Sequence, residues 1–185
     1  MTVDCDVHQG NGTAAIFAGS RTESAPLPSV SNSVPGAHKI RATAALGDVF
    51  TISLHQQNNY PRFKPPSSID VDLPDGVGDG DYLAWLDNAL SSGLRQFEPD
   101  LLCYIAGADP YREDQLGGLK LTIEGLKKRD ELVFRVARAR GIPVMVTYAG
   151  GYARNVEDTV TIHSNTVVAA KEVFAEKVSP RTLSS

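Results

Sequence analysis

A short apolar strand runs directly into polar side chains and a glycine turn in the stretch Asp4-Cys5-Asp6-Val7-His8-Gln9-Gly10-Asn11-Gly12-Thr13. Alternate side chains of a strand share a face, so Asp4, Asp6 and His8 point the same way. Carboxylate and imidazole together are typical zinc ligands. For this stretch taken singly, the favoured alternative is a buried strand whose polar end faces solvent.

Apolar runs further along the chain predict five strands, at residues 3–7, 50–54, 69–73, 101–106 and 144–148. The last two are continuously apolar, which is typical of parallel strands that are covered on both faces. A short helix is predicted at 13–17, after the glycine turn.

Three longer helices are predicted from apolar side chains at helical spacing. Their stripes are Tyr82-Trp85-Leu86-Ala89, Leu126-Val133-Val136 and Val156-Val160-Val167-Ala170-Phe174. The predicted ends are Asp79 or Asp81 and Gly93 for the first helix, and Thr122 and Gly141 with Pro143 for the second. Strands that alternate with such helices predict an α/β fold with a mostly parallel sheet, whose sites lie at the carboxyl ends of the strands.

Composition narrows the class of protein. The chain has 185 residues, 42% of them hydrophobic and 22% charged, which excludes collagen-like and wholly disordered chains. A net charge of −4 argues against nucleic-acid binding, and no apolar run approaches the roughly 20 residues of a membrane span. Two cysteines inside apolar runs fit a reducing compartment, so we expect a cytoplasmic location, or a nuclear one in a eukaryote.

One domain is expected over residues 1–178. It is interrupted at about 19–47 by a Ser-, Ala-, Pro- and Gly-rich segment without apolar period, which we interpret as an irregular insertion. Residues 179–185 are predicted to be a tail.

Two further motifs follow predicted strands. Asp109, in Gly107-Ala108-Asp109, comes after the fourth strand, and a helix or turn cap is the favoured alternative for it singly. Gly150-Gly151-Tyr152 comes after the fifth; its glycines let backbone approach a ligand, or it forms a strand-to-helix turn with a packed aromatic.

Taken together, two carboxylates, one histidine and an open fourth position are typical of a catalytic zinc site. Zinc activates water and polarises a carbonyl, and a tyrosine hydroxyl opposite stabilises the developing oxyanion. The combination indicates hydrolysis of an amide.

Four segments resemble the zinc-dependent histone deacetylase superfamily, and within it they resemble the class IV type most. They are residues 4–13, 52–55 (Ile-Ser-Leu-His), 106–110 (Ala-Gly-Ala-Asp-Pro) and 149–152 (Ala-Gly-Gly-Tyr). The resemblance implies an arginase/deacetylase fold, a three-layer α/β/α sandwich. It also implies deacetylation of an acetylated lysine in a protein, or of a small acylated amine.

The resemblance assigns roles to individual residues. Asp6, His8 and Asp109 match the zinc ligands, and Tyr152 matches the tyrosine that stabilises the transition state. Asp4 matches an aspartate that orients a catalytic histidine and helps to bind a structural potassium ion. The family's potassium site corresponds here to Asp4, Asp6, His8, Ser53 and Leu54.

The narrow acyl-lysine tunnel of the family corresponds to Tyr60, Leu116, Gly150 and Gly151. Ordinary loop packing is an open alternative for Tyr60 and Leu116.

The chain departs from the family in its histidines. Family members carry two adjacent histidines as general base and proton shuttle, whereas His8, His38, His55 and His163 are all isolated here. We interpret His55 as structural and His163 as a satisfied core histidine. Replacement of the missing base by His38 is a minor hypothesis.

The resemblance also begins in the middle of the family domain, whose N-terminal part is missing. We therefore expect strand 3–7 to lose a neighbour and to form an open edge for self-association or for a partner that supplies the missing half. A misplaced start codon, a decayed remnant and a separate polypeptide all stay open.

The sequence therefore predicts a zinc-dependent deacetylase that is incomplete as it stands. The alternative is a catalytically inactive fragment that binds metal, or a partner through its open sheet edge. An arginase-like ureohydrolase with two manganese ions is a third reading, and the Gly-Gly-Tyr element speaks against it.

Overall fold

A computed structural model describes residues 1–18 and 48–175. The elements are β1 (Thr2–Asp4), α1 (Asn11–Phe17), β2 (Thr51–Gln56), β3 (Ile69–Leu73), α2 (Asp79–Gln96), β4 (Leu102–Ala106), α3 (Ile123–Arg140), β5 (Val144–Tyr148) and α4 (Val156–Ala175). The segment 19–47 with His38, and the tail 179–185, lie outside the described residues, so the division into domain, insertion and tail stays a prediction.

The five strands form one parallel sheet in the order β3-β2-β1-β4-β5. The α/β prediction is therefore confirmed. Chain order runs to one side from β1 to β3 and then crosses to β4 and β5, so it reverses between β1 and β4. Helix α1 packs against β2, α2 against β2, β3 and α3, and α4 against α3.

Helix α3 has the ends that the sequence predicts. The Oγ1 atom of Thr122 accepts a 2.9 Å hydrogen bond from the backbone N–H of Gly125, which caps the first turn. Gly141 ends the helix with a φ of 69°, a left-handed conformation that glycine adopts readily.

Helix α2 differs from its prediction at both ends. Gly78 is the capping residue, and the carboxylate of Asp79 instead accepts hydrogen bonds from the backbone and hydroxyl of Thr122. The prediction that Gly93 ends the helix is wrong, because α2 continues to Gln96. Gly93 is buried against Ile52, where it lets the helix approach the sheet closely.

Strand β1 is shorter than predicted and lies elsewhere in the sheet. It ends at Asp4, so Asp6 and His8 lie in the bend that follows the strand. The prediction of an open edge at residues 3–7 is wrong, because β1 is the central strand and pairs with both β2 and β4. The edges of the described sheet are β3 and β5.

Strand β5 was expected to be covered on both faces, and this is wrong. Its residues from Met145 to Tyr148 are exposed, and in the described sheet β5 is an edge strand that pairs with β4. The stripe predicted for α4 is also exposed: Val156, Val160, Val167 and Phe174 face solvent. The buried side of α4 consists of Ile162, Thr166, Ala169 and Val173.

We call the exposed apolar side chains of α4, together with those of β5 on the side of Tyr148, the open face; its members are Val146, Tyr148, Val156, Val160, Val167, Val168 and Phe174. Among residues 1–18 and 48–175, no helix is long and apolar enough to cross a membrane.

Candidate metal centre

Asp6, His8 and Asp109 converge at the carboxyl ends of β1 and β4, where the strand order reverses. The Nδ1 atom of His8 lies 3.2 Å from Oδ1 of Asp6 and 3.1 Å from Oδ2 of Asp109. One potential ligand atom from each residue lies within 4.8 Å of the other two. The polar ends of two neighbouring parallel strands thus form one cluster, at the place where such sheets bind ligands.

Backbone groups from two loops, after β1 and after β5, hold the two carboxylates in place. The N–H of Val7 donates a 2.9 Å hydrogen bond to Oδ1 of Asp109, and the N–H of Gly150 donates one of the same length to Oδ2 of Asp6. A Cβ atom on Gly150 would lie 2.5 Å from Oδ2 of Asp109. This position therefore requires glycine, as the predicted role in close approach implies.

Gly107 has a similar steric requirement. A Cβ atom there would lie 2.7 Å from the Cα atom of Asp6 and 2.9 Å from Oδ1 of Asp109. The absence of a side chain at Gly107 lets the loops after β1 and β4 touch, which brings the two carboxylates together.

The cluster shifts the acid–base properties of its members. Hydrogen bonds to Asp109 and Asp6 raise the pKa of His8 to about 10. Burial raises the pKa of Asp109 to about 6, against the hydrogen bond from His8. Burial also acts to raise the pKa of Asp6, but hydrogen bonds from His8 and Gly150 outweigh it and lower the pKa.

Asp4 lies just below this cluster. Its Oδ1 atom accepts a 3.0 Å hydrogen bond from the backbone N–H of Asp6, and burial raises its pKa to about 7. Asp4 is paired across the sheet with Ser53, and both Ser53 and Leu54 are buried in β2. These positions place three of the predicted potassium-site residues on adjacent central strands; potassium binding itself stays a prediction.

His55 and His163 lie away from the cluster. His55 is buried, with Nδ1 2.9 Å from Oγ of Ser53 and Nε2 3.0 Å from Oδ1 of Asp72, contacts that suit a structural residue. His163 is only half-buried and stacks on Tyr148 of the open face. Its buried Nδ1 atom has no hydrogen-bond partner among residues 1–18 and 48–175, so the interpretation as a satisfied core histidine is wrong for the part of the chain that the structure describes.

The predicted tunnel residues occupy loops around the cluster. Tyr60 and Leu116 are both exposed, and Asn59 connects their loops by a 2.8 Å hydrogen bond from Nδ2 to the carbonyl oxygen of Leu116. Gly151 follows Gly150, and the side chain of Tyr152 is 62% exposed beside them.

Two residues that the sequence reasoning did not single out organise the surroundings of the cluster. Asp114, in the turn Asp114-Gln115-Leu116-Gly117-Gly118, accepts hydrogen bonds from three backbone N–H groups. An Asp three residues before a pair of glycines is a turn signal that could have drawn attention to it.

The second residue is Arg129, which is fully buried in α3. It pairs with Asp130 and donates a 2.6 Å hydrogen bond to the carbonyl oxygen of Gly107. In the sequence, an Arg-Asp pair inside an otherwise apolar helical stripe is the feature that could have drawn attention to Arg129.

The donor set suits a divalent metal ion such as zinc. Two carboxylates and one imidazole nitrogen are a common three-residue set for catalytic zinc, which keeps a further position open. Asp6, His8 and Asp109 are the residues that would hold the ion. The side chains of the cluster are partly or fully buried, and their lone pairs and ring nitrogen face one another.

Comparisons with known proteins identify the family and the fold. The model of the histone deacetylase domain matches residues 1–167. An uncharacterized protein of Picosynechococcus sp. is 38% identical over 174 residues, which are 94% of this chain and 49% of the relative. Histone deacetylase 2 of Arabidopsis thaliana is 32% identical over 161 residues, 84% of this chain and 34% of the relative.

Solved structures show the same fold. Acetylpolyamine aminohydrolase from Burkholderia pseudomallei matches with a TM-score of 0.65 at 22% identity, over 93% of this chain and 44% of that one. A histone deacetylase homologue from Aquifex aeolicus matches with a TM-score of 0.62 at 20% identity, over 95% and 41%. The chain spans half or less of the length of these relatives. It has the arginase/deacetylase fold and belongs to the histone deacetylase family.

Proposed function

We propose that this chain carries the zinc site and the oxyanion-binding tyrosine of a deacetylase that acts on an acetylated lysine or a related acylated amine. The observation that carries the proposal is the convergence of Asp6, His8 and Asp109 beside the Gly150-Gly151-Tyr152 loop. Membership of the family supports the reaction class, and the acetylpolyamine aminohydrolase neighbour supports acylated amines as the substrate class.

Zinc supplies Lewis acidity in such a site, making water nucleophilic at neutral pH and polarising the amide carbonyl. The chain's own residues do the positioning. Gly150 holds the carboxylate of Asp6, and Val7 holds that of Asp109, so the ligand set is built before an ion binds. The hydroxyl of Tyr152 donates a hydrogen bond to the carbonyl oxygen as negative charge develops on it.

A general base is the part of this mechanism that the described residues do not supply. His8 belongs to the ligand cluster, while His55 and His163 are held in contacts elsewhere in the described chain. Loss of general acid–base catalysis lowers the rate by about 10²–10⁴. We therefore expect little or no deacetylation by the 185-residue chain on its own.

Zinc titration of the purified chain, with a chromophoric chelator as competitor, tests the site directly. Asp109→Asn is expected to weaken zinc binding at least tenfold, because ligating carboxylate chemistry is lost. Asp87→Asn, an exposed change of the same kind in α2, is the matched control and leaves zinc binding unchanged. Equal zinc affinity in the two variants would refute the proposed site.

An acetyl-lysine peptide assay tests the expectation about turnover. Zinc-dependent deacetylation by the isolated chain that Asp109→Asn abolishes would overturn it. That outcome would point to a substitute base such as His38.

A second candidate function is supported by the open face. We propose that a fragment without turnover would use this face, next to the edge of β5 that has no partner strand among the described residues, to bind a second copy or a polypeptide that supplies the rest of the domain. Sedimentation of the wild type and of Val146→Lys tests whether the chain associates through the open face. A monomeric wild type that also fails to bind a separately produced N-terminal half from a relative would refute it.

Three finer assignments accompany the proposal. We propose zinc as the ion of the cluster, and potassium at Asp4, Asp6, His8, Ser53 and Leu54, as the resemblance implies. We propose a class IV type of enzyme. We also propose a reducing compartment, cytoplasmic or nuclear, since Cys5 and Cys103 are both free thiols.

A further inference from the structure

We propose that Asp114 is a positioning residue that fixes Tyr152 and Leu116 relative to the metal centre. This inference rests on the proposed function, because it takes Tyr152 as the group that binds the oxyanion. It adds a residue that touches neither the metal ligands nor the substrate and acts through backbone groups.

The carboxylate of Asp114 is buried and joins two loops. Its Oδ1 atom accepts hydrogen bonds of 2.8 and 2.9 Å from the backbone N–H groups of Leu116 and Gly117. Its Oδ2 atom accepts a 2.6 Å hydrogen bond from the backbone N–H of Tyr152. One side chain thus connects the predicted tunnel wall to the tyrosine loop, 38 residues further along the chain.

The backbone of Tyr152 depends on this loop for its position. The carbonyl oxygen of Tyr152 accepts hydrogen bonds of 3.1 Å from both the backbone N–H and the side-chain Nε2 of Gln115. The side chain of Tyr152 is 62% exposed, so packing of the ring does little to fix it. The anchored backbone is therefore what determines where the phenol can reach.

The same loop is also fixed to the metal centre. Gly117 lies so close to the backbone carbonyl of Asp109 that a Cβ atom would overlap with it. The carbonyl of Leu116 accepts a hydrogen bond from Asn59, next to Tyr60. Asp114 therefore holds the backbone of Tyr152 against the loop of Leu116 and Gly117. That loop already contacts Asp109 and, through Asn59, the loop of Tyr60.

Only a carboxylate satisfies this set of donors. Three N–H groups point at two oxygens, and hydrogen bonds to a charged acceptor are stronger than neutral ones. An asparagine of the same shape offers one acceptor oxygen and turns an NH₂ group toward an N–H donor. Asp114→Asn is therefore a nearly isosteric change that breaks one side of the connection.

Fluorine NMR of the full chain, loaded with zinc and labelled with 3-fluorotyrosine, tests the positioning. The resonance of Tyr152 is assigned by its loss in Tyr152→Phe. Asp114→Asn is expected to move this resonance toward its position in urea and to leave the other tyrosines and the zinc affinity unchanged. Glu113→Gln, an exposed neighbour, is the matched control and moves nothing. An unmoved Tyr152 resonance in Asp114→Asn would overturn the inference.

Hydrogen exchange of the wild-type chain gives a test that needs no variant. The amide of Tyr152 is expected to exchange at least tenfold more slowly than an unstructured amide, because Asp114 accepts from it. Exchange at the unstructured rate contradicts the inference.

A double-mutant cycle with a fluorescein-labelled hydroxamate separates this inference from the proposed function. Tyr152→Phe and Asp114→Asn are each expected to weaken hydroxamate binding about tenfold, and the double variant no further than Tyr152→Phe alone. Unchanged binding in Tyr152→Phe would overturn the proposed role of Tyr152. Weaker binding in Tyr152→Phe with full binding in Asp114→Asn would overturn the role of Asp114 alone.

Discussion

The backbone N–H of Gly150 donates a 2.9 Å hydrogen bond to Oδ2 of Asp6. This contact connects the loop after β5 to the loop after β1, across the intervening strand β4. The loop that carries Tyr152 is therefore in direct contact with a metal ligand, and the absence of a side chain at Gly150 is what permits it.

Gly150→Ala is expected to weaken zinc binding at least tenfold while the chain remains folded. The new Cβ atom would lie 2.5 Å from Oδ2 of Asp109 and 3.0 Å from Oδ2 of Asp6, so both carboxylates must shift. Gly80→Ala in α2 is the control, since nothing lies within 4 Å of its Cβ position. Zinc titration by chelator competition compares the two, and equal affinities would contradict the steric argument.

Arg129→Met is expected to destabilise the chain by about 3–5 kcal/mol, because it leaves the buried carboxylate of Asp130 without its cation. Tyr104 and Thr166 also donate to that carboxylate, and neither carries a charge. Lys128→Met removes a neighbouring exposed ion pair with Glu124 and is expected to cost less than about 0.5 kcal/mol. Urea denaturation measures both, and a cost for Arg129→Met no larger than the control would refute the expectation.

The two sides of α4 are expected to respond differently to truncation. Ile162→Ala is expected to cost about 2–5 kcal/mol, because this side chain is 1% exposed in the core. Val160→Ala is expected to stay within about 0.5 kcal/mol of the wild type, since that side chain is 52% exposed. Thermal and urea unfolding measure the two costs. A larger cost for Val160→Ala than for Ile162→Ala would show that the stripe predicted from the sequence faces the core.

The contribution of His163 to the stability of the chain is expected to fall as pH drops below about 6.5, whereas Asp4 and Asp109, whose pKa values burial raises, act in the opposite direction. Burial lowers the pKa of His163 from its ordinary value of 6.5, with Arg129 acting in the same direction and Asp130 against it. The folded state then binds a proton less readily than the unfolded state, so the contribution is full above pH 6.5 and is lost as pH falls through the folded pKa.

His163→Phe is the variant that isolates this contribution, because it keeps an aromatic ring against Tyr148. Urea unfolding between pH 7 and pH 5 is expected to show that the stability of the variant, relative to that of the wild type at the same pH, increases as pH falls. Parallel pH profiles would show that His163 does not contribute.

The sequence alone was sufficient to predict the features that are determined by the local pattern of residues. Apolar runs marked all five strands, and Thr122 and Gly141 marked the ends of α3 because caps use side chains and conformations within a few residues. The convergence of Asp6, His8 and Asp109 also followed, since the carboxyl ends of parallel strands share one edge.

Features that depend on distant parts of the chain were missed or wrong. The place of β1 between β2 and β4 is a matter of strand order, which a single strand does not encode. Helix α4 has apolar side chains on both sides, so its pattern could not say whether Val160 or Ile162 meets the core. The contact of Asp114 with Tyr152 joins residues 38 positions apart and leaves only a turn signal in the sequence.

The proposed ligands of the metal centre come from widely separated parts of the chain, because His8 and Asp109 are 101 positions apart. An ion shared by them acts as a removable cross-link, and its binding energy adds to the free energy of unfolding. At a free ion concentration of about 100 times the Kd, this addition is about 2.7 kcal/mol. The lifetime of the chain in a cell, through its exposure to proteases, would then follow the local supply of the ion.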